Sequence, residues 1–173
     1  NQATVYKTRA NEFSDTKASV LGDYVAAKLG MEEGEAAIYM AVTKAYDGFM
    51  IFIFENGKIA KVEMNTYETK TNRKKLVGAY SDKSPLFAMF YCKQECEILL
   101  TTTEGRMLAI QSKTTRSTKG VAGITLKRGK VLVKAERYEE GMLSNPARYR
   151  KNIPAIGALP TAQEYEGEQL TLK

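Results

Sequence analysis

The clearest pattern along the chain is a short apolar strand, a tight turn and a second strand of mixed character. The segment Phe49 to Met64 shows it, with six consecutive apolar residues followed by Glu-Asn-Gly57 and an alternating stretch. The segment Glu97 to Ile110 repeats it around Gly105. Short β-prone runs joined through a glycine turn are typical of β-hairpins. Two hairpins are therefore predicted, each with a cation directly after its glycine.

A truncated third copy begins the chain. In Ala3 to Arg9, Ala3 stands where Gly57 and Gly105 stand in the two hairpins, and these positions are 54 and 48 residues apart. A period of about 50 residues with several short strands in each unit is typical of propeller blades. The sequence therefore predicts an all-β protein of about three repeats that forms an incomplete or open propeller.

Each hairpin is followed by a polar, partly basic loop and then by another apolar strand. These strands are predicted near Ala36 to Thr43, Leu86 to Tyr91 and Lys130 to Arg137, each pairing with the hairpin that comes next in the sequence. The segment Asp23 to Met31 also permits a short helix, although glycines surround it. The phenylalanines of the predicted strands, including Phe52, are expected in the core and not on a base-stacking surface.

The charge of the chain is unevenly distributed, which changes the functional picture more than the net charge of +6 does. Residues 1–57 hold five basic and eight acidic side chains, residues 58–83 hold seven and three, and residues 106–138 hold nine and one. One side of the molecule is therefore expected to be electropositive. The acidic residues Glu32, Glu33 and Glu35 are expected to lie in a solvent-exposed turn.

The composition disfavours several classes of function. The chain has no histidine and only two cysteines, Cys92 and Cys96, so it lacks the ligands of a tetrahedral zinc site and the commonest general base. No cofactor is predicted, and no apolar run is long enough to cross a bilayer. Two free thiols indicate a reducing cytoplasm. Because it starts at Asn1 without Met or a leader, the chain is interpreted as a piece of a longer protein.

A more specific signal lies at Thr115 to Leu126, which reads Thr-Arg-Ser-Thr-Lys-Gly-Val-Ala-Gly-Ile-Thr-Leu. It follows the strand–glycine–cation–strand element around Gly105. In order and spacing, over about thirty residues, the two elements together resemble the repeat signature of one domain family. This family is the C-terminal domain of the A subunit of bacterial DNA gyrase and topoisomerase IV. The copies around Ala3 and Gly57 are less similar to this signature, but their elements occur at the same positions of the repeat.

The resemblance implies a β-pinwheel, in which four-stranded blades are arranged like a propeller, exchange strands with their neighbours and bend DNA around a basic perimeter. It implies a non-catalytic, DNA-binding and DNA-bending module of an ATP-dependent type IIA topoisomerase. The implied partners are double-stranded DNA, the remainder of the A subunit, and the ATPase B subunit, in the bacterial cytoplasm beside the nucleoid and without a membrane. The Gln-Arg-Arg-Gly-Gly-Lys-Gly box of gyrase does not occur in the sequence, so gyrase and topoisomerase IV both remain open.

Binding of a duplex without reading its bases needs cations spaced along a surface, because the release of counterions from the phosphates drives association. The basic loops recur at the same position of each repeat. Threonines between the cations, such as Thr71 and Thr115, could donate hydrogen bonds to phosphate oxygens. No catalytic residue and no metal ligand is assigned. The alternative is a propeller-like protein-interaction scaffold with a basic, solvated rim. The predicted DNA-binding residues are Lys17 in the first loop, Lys70, Arg73, Lys74 and Lys75 in the middle loop, and Lys113, Arg116 and Lys119 in the third loop.

The predicted organisation is one repeat domain with an extension. Residues 1–138 hold the β-pinwheel repeats, with blades near 1–48, 49–96 and 97–138. Residues 139–173 form a linker and an extension that contains one last strand near Gln169 to Leu172. The extension could cover an exposed blade edge, or it could act as a tether.

Overall fold

The computed structural model describes residues 3–71, 74–115, 119–162 and residue 164. Within this part of the chain, none of the helices is long and apolar enough to cross a membrane. The strands and helices are β1 (Val5–Tyr6), α1 (Val25–Leu29), β2 (Phe49–Phe54), β3 (Lys58–Glu63), β4 (Lys75–Leu76), β5 (Leu86–Cys92), β6 (Glu97–Thr102), β7 (Met107–Gln111), β8 (Val121–Ala122), β9 (Leu132–Arg137) and α2 (Pro146–Tyr149).

The strands form three antiparallel sheets. The first sheet contains β1 and β4, the second has the order β5-β2-β3-β8, and the third has the order β7-β6-β9. The two predicted hairpins are β2–β3 and β6–β7. Sheets with few and short helices confirm the all-β prediction.

Strands from later in the chain return to complete each sheet. The outer strands β5 and β9 pair with β2 and β6, so the predicted pairing with the following hairpin is wrong, because each strand folds back on the hairpin that precedes it. The short strands β4 and β8 cross to the previous copy and pair with β1 and β3. We call β4 and β8 the exchanged strands.

The exchanged strands meet the hairpins at equivalent positions. Val5 faces Leu76 and Ile59 faces Val121, each two residues after the turn residue, which is Ala3 in one copy and Gly57 in the other. Both turn residues have positive φ, +51° at Ala3 and +80° at Gly57. This agreement confirms that Ala3 stands at the glycine position of the repeat.

Gly57 is required because the residues directly after the exchanged strand β8 approach its backbone closely. Its carbonyl oxygen accepts hydrogen bonds from the backbone N–H groups of Gly123 and Ile124, both at 3.1 Å. A Cβ at Gly57 would lie 2.2 Å from the carbonyl oxygen of Ile124, and its φ is one that glycine adopts without steric cost. In the first copy, the Ala3 carbonyl likewise accepts a hydrogen bond from Ala79 N at 2.8 Å.

The predicted strand at Ala36 to Thr43 is wrong. These residues form no strand, and Met40 and Val42 are 72% and 77% exposed. A strand needs a partner for its backbone groups. Among the described residues, no strand or isolated bridge pairs with this segment.

The second sheet is covered on both faces. Ile51 and Ile53 of β2 pack in one cluster with Leu100 and Leu108 of the third sheet. On the opposite face, the ring of Phe52 stacks on Tyr80 with centroids 4.4 Å apart. Burial on both faces explains why β2 is apolar at every position. The expected core position is confirmed for Phe49, Phe52 and Phe54, whereas Phe87 and Phe90 of β5 are partly buried.

The two helices are short and lie outside the sheets. The helix permitted by Asp23 to Met31 forms as α1 and ends at Gly30, whose φ of +63° is left-handed. After α2, Ala158 pairs with Met107 of β7, and Met107 N donates to Ala158 O at 2.8 Å. The division at residue 138 remains a prediction, and the strand predicted near residues 169–172 falls outside the described residues.

Candidate nucleic-acid interface

The basic loops leave the sheets at equivalent places. We call residues 67–75 the middle loop and residues 113–120 the third loop. A 3-10 turn follows the second strand of each hairpin, at Met64–Tyr67 after β3 and at Ser112–Thr114 after β7. Each loop then leads to an exchanged strand, β4 or β8. Because β4 and β8 pair at equivalent positions of β1 and β3 in successive copies, the two loops occupy corresponding positions in neighbouring repeats.

Buried side chains anchor the beginning of each loop. Tyr67 is buried and its hydroxyl donates to the carbonyl of Ala79 at 3.2 Å. Thr115 is 1% exposed and donates to the carbonyl of Ser112 at 2.8 Å. The prediction that Thr115 could contact phosphate is therefore wrong, because its hydroxyl is enclosed and already donates. Thr71, in contrast, is exposed.

In the middle loop, acidic side chains neutralise two of the predicted cations. Lys74 Nζ lies 2.8 Å from Glu12, and Lys75 Nζ lies 2.5 Å from Glu32 and 3.5 Å from Glu35. The hydrogen bond with Glu32, followed by that with the Tyr6 hydroxyl, raises the pKa of Lys75 above its usual value.

The acidic cluster is therefore more than a turn in water. Glu35 has a side chain only 3% exposed and accepts hydrogen bonds from the Tyr6 hydroxyl and from the backbone N–H of Glu32. The bond from Tyr6 is the main cause that lowers the pKa of Glu35. The expected turn forms, since Glu35 N donates to Glu32 O at 3.1 Å, and Glu32 and Glu33 are exposed. The expectation of a solvated carboxylate is wrong for Glu35, which lies against Tyr6 of β1 and Lys75 of β4.

Lys70 is exposed in the middle loop, and the ion pairs of the described residues do not include it. The same holds for Lys113 and Lys119 in the third loop, among the residues that the structure describes. Arg73 and Arg116 lie outside the described residues. The third loop therefore presents lysines that are available to an external anion.

Lys17 is exposed in the first copy, in a turn closed by a hydrogen bond from Val20 N to Lys17 O at 2.9 Å. It precedes Val20 and Leu21 much as Lys119 precedes β8. The surroundings differ, however, because the first copy also carries the acidic residues that bind Lys74 and Lys75, which are Glu12, Glu32 and Glu35. The first copy therefore has a weaker positive surface than the third loop.

One cation beside the third loop was not among the predicted site residues. Lys58 is exposed at the start of β3 and faces Ala122 of β8. The signal was present in the sequence, since a cation follows the turn glycine in both hairpins. The equivalent Arg106 is different: it contacts Glu104 at 3.3 Å and donates to the carbonyl of Gly157 at 3.2 Å. Lys58 is thus the hairpin cation that is open to a ligand.

The described residues contain no cluster of three or more histidine, cysteine, aspartate or glutamate side chains that could hold a metal ion. The chemistry of the loops is that of separate ammonium groups on a surface. Such an arrangement suits an extended polyanion, because contacts at several spaced charges add together.

Comparison with known proteins identifies one group of relatives. No family model matches the sequence. The chain is 26% identical over 147 residues to the DNA gyrase A subunit of Borrelia hermsii (strain HS1 / DAH), and the match covers 82% of this chain and 18% of that protein. The chain therefore spans about a fifth of the length of this relative.

Two solved structures have the same fold. The C-terminal domain of DNA topoisomerase IV matches with a TM-score of 0.65 and 21% identity, over 80% of this chain and 45% of the solved one. The DNA gyrase A C-terminal domain matches with a TM-score of 0.59 and 18% identity, over 91% and 57%. The predicted resemblance and the β-pinwheel fold are confirmed, with open sheets.

Proposed function

We propose that this chain is a non-catalytic module that binds and bends DNA within the A subunit of a type IIA topoisomerase. The observation that carries the proposal is the equivalent placement of the two basic loops, each directly before an exchanged strand. Cations that recur with the blades can follow a phosphate backbone from one repeat to the next. In the intact enzyme, the partners would be the remainder of the A subunit together with the ATPase B subunit, in the bacterial cytoplasm beside the nucleoid.

The charges of the described residues divide the predicted contacts into two groups. The first group can neutralise a phosphate without losing a partner among the described residues, and it contains Lys70, Lys113 and Lys119. Lys74 and Lys75 would have to exchange a carboxylate for a phosphate, so their net contribution is smaller. The proposal also includes phosphate contacts by three further loop residues, Arg73, Arg116 and Lys17.

Bending follows from contact at more than one blade. Smooth bending of a short site by 40–90° costs about 1–6 kcal/mol, which a single surface lysine does not offset. Two loops on neighbouring blades, supported by Lys58, would share that cost. A duplex with fluorophores at its ends should therefore show a shorter end-to-end distance when bound, and an unchanged distance would contradict bending.

The binding test uses charge-removing variants at matched exposure. Lys113→Gln combined with Lys119→Gln removes two proposed phosphate contacts, which should reduce the slope of log K against log salt by about 1.8. The control is Lys83→Gln combined with Lys93→Gln. These two exposed lysines flank β5, at the opposite edge of the second sheet from β8. Equal slope changes in the two double variants would contradict the assignment of the third loop.

A further inference from the structure

The two thiols of the chain meet at the junction between the second and third sheets. Cys92 is the last residue of β5, and Cys96 directly precedes β6. Both are free, and their Sγ atoms lie 2.7 Å apart. The two side chains belong to the apolar cluster in which the second and third sheets pack together. The sulfurs are therefore within reach of a covalent bond to each other, whose length is about 2.03–2.05 Å.

The backbone holds both cysteines in place independently of their thiols. Cys92 pairs with Phe49 of β2 in the second sheet. Cys96 N donates to the Ser112 hydroxyl at 2.9 Å, and the carbonyl of Cys96 accepts a hydrogen bond from Ser112 N at 2.8 Å. A bond between the two sulfurs therefore needs movement of the side chains only, and the strand pairing on both sides can remain as it is.

The two thiols differ in accessibility and in acidity. Cys92 is 1% exposed, whereas Cys96 is partly exposed. The hydrogen bond with Cys92 is the main cause that lowers the pKa of Cys96. The Ser112 hydroxyl and the Arg137 guanidinium act in the same direction, while partial burial and Glu95 oppose them. The same hydrogen bond, together with burial, raises the pKa of Cys92. Because the thiolate is the nucleophile, Cys96 is the thiol that reacts first.

We propose that Cys92 and Cys96 form a modification site for hydroperoxides, in which Cys96 is oxidised first and Cys92 then closes an intramolecular disulfide. In the first step, the Cys96 thiolate attacks one oxygen of the hydroperoxide. The S–O bond forms, the O–O bond breaks, and the departing oxygen takes up a proton from water, which leaves a sulfenic acid on Cys96.

In the second step, the Cys92 sulfur attacks the sulfur of this sulfenic acid. The S–S bond forms, the S–O bond breaks, and the departing hydroxide leaves with the Cys92 proton as water. In total, two thiols lose two electrons and two protons, and one hydrogen peroxide molecule is reduced to two waters. The thiol pair needs no DNA for this reaction, so the inference is independent of the proposed function.

The test treats the reduced chain with hydrogen peroxide at pH 7 and follows both thiols by mass spectrometry. The chain should lose the mass of two hydrogen atoms. Trypsin cleaves after Lys93, between the two cysteines, so the disulfide should hold together two peptides that dithiothreitol separates. Backbone hydrogen exchange in β5 and β6 should be the same before and after oxidation, because the bond needs movement of the side chains only.

Two single variants separate the roles of the thiols. In Cys92→Ala, the sulfenic acid on Cys96 has no thiol to resolve it and should be trapped by dimedone. In Cys96→Ala, the buried thiol of Cys92 should react slower than Cys96 does in Cys92→Ala, by about tenfold or more. The experiment on the unchanged chain decides on the disulfide without either variant.

Several results would overturn the proposal. The first is persistence of both thiols in the unchanged chain at a peroxide dose that oxidises free cysteine. The second is a disulfide that forms only between two chains. The third is reaction of Cys92 in Cys96→Ala as fast as that of Cys96 in Cys92→Ala. The last is loss of hydrogen-exchange protection in β5 and β6 on oxidation, since the fold would then not accommodate the bond.

Discussion

The close contact between Gly57 and residues 123–124, which directly follow the exchanged strand β8, predicts a specific stability effect. In Gly57→Ala, the new Cβ would lie 2.2 Å from the carbonyl oxygen of Ile124, so the segment directly after β8 must move away. Gly78 provides a matched control, because its φ of +61° is also positive but nothing lies within 4 Å of a Cβ there. The two variants share the conformational cost of alanine and differ in the contact.

The expected magnitudes follow from the geometry. Alanine in the left-handed region costs about 1–2 kcal/mol at either position. Movement of this segment also weakens the hydrogen bonds from Gly123 and Ile124 to the Gly57 carbonyl, each contributing about 0.5–1.5 kcal/mol. Gly57→Ala should therefore be more destabilising than Gly78→Ala by about 1–3 kcal/mol. For a chain of this length, that corresponds to a difference in Tm of about 2–12 °C.

Thermal unfolding followed by circular dichroism measures the difference, and hydrogen exchange locates it. The amides of Gly123 and Ile124 should exchange faster in Gly57→Ala and at the parent rate in Gly78→Ala. Equal destabilisation by the two substitutions, with no change at Gly123 and Ile124, would refute the close approach of these residues to the turn.

Two further predictions concern titratable groups. Partial burial works against ionisation of Glu164, but hydrogen bonds from Tyr149 and Thr161 outweigh it and lower its pKa from 4.5 to about 2. The carboxylate therefore stabilises the fold above the unfolded pKa, and this contribution is lost as pH falls through the folded pKa. Glu164→Gln should be less stable than the parent at pH 7, with the difference disappearing near pH 2; a pH-independent difference would contradict this. In the pair Cys92–Cys96, whose Sγ atoms are 2.7 Å apart, a hydrogen bond with Cys92 lowers the pKa of Cys96. Mass spectrometry should show Cys96 alkylated first, with a pH midpoint that rises in Cys92→Ala; faster alkylation of Cys92 would refute the arrangement.

The hairpins and the repeat phase could be predicted because they depend on local sequence. A run of β-prone residues, a glycine and a cation specify β2–β3 and β6–β7 without knowledge of the rest of the chain. Ala3 could be placed in the same phase, although alanine gives no local indication of a positive φ. The pairing of the outer strands could not be predicted, because apolar β5 fits a hairpin on either side of it in sequence.

The state of the loop cations depends on contacts that are distant in sequence. Lys74 and Lys75 look equivalent to Lys119 in the sequence, but Glu12 and Glu32 reach them from 62 and 43 residues away. These carboxylates come from the first copy, where the loop has diverged from its counterparts. A local motif can therefore predict where cations lie, whereas the fold determines which of them remain available to a ligand.

The central claim is that this chain binds duplex DNA through its phosphates, and the most direct test is the affinity of the unchanged chain over a salt series. Four predicted cations lie outside the described ion pairs: Lys17, Lys70, Lys113 and Lys119. If each contacts one phosphate, the slope of log K against log salt should be about −3.6. Binding that weakens with salt at about this slope or more steeply, and equally for duplexes of unrelated sequence, is the expected result. Absence of binding at low salt, or a slope near zero, would contradict the account.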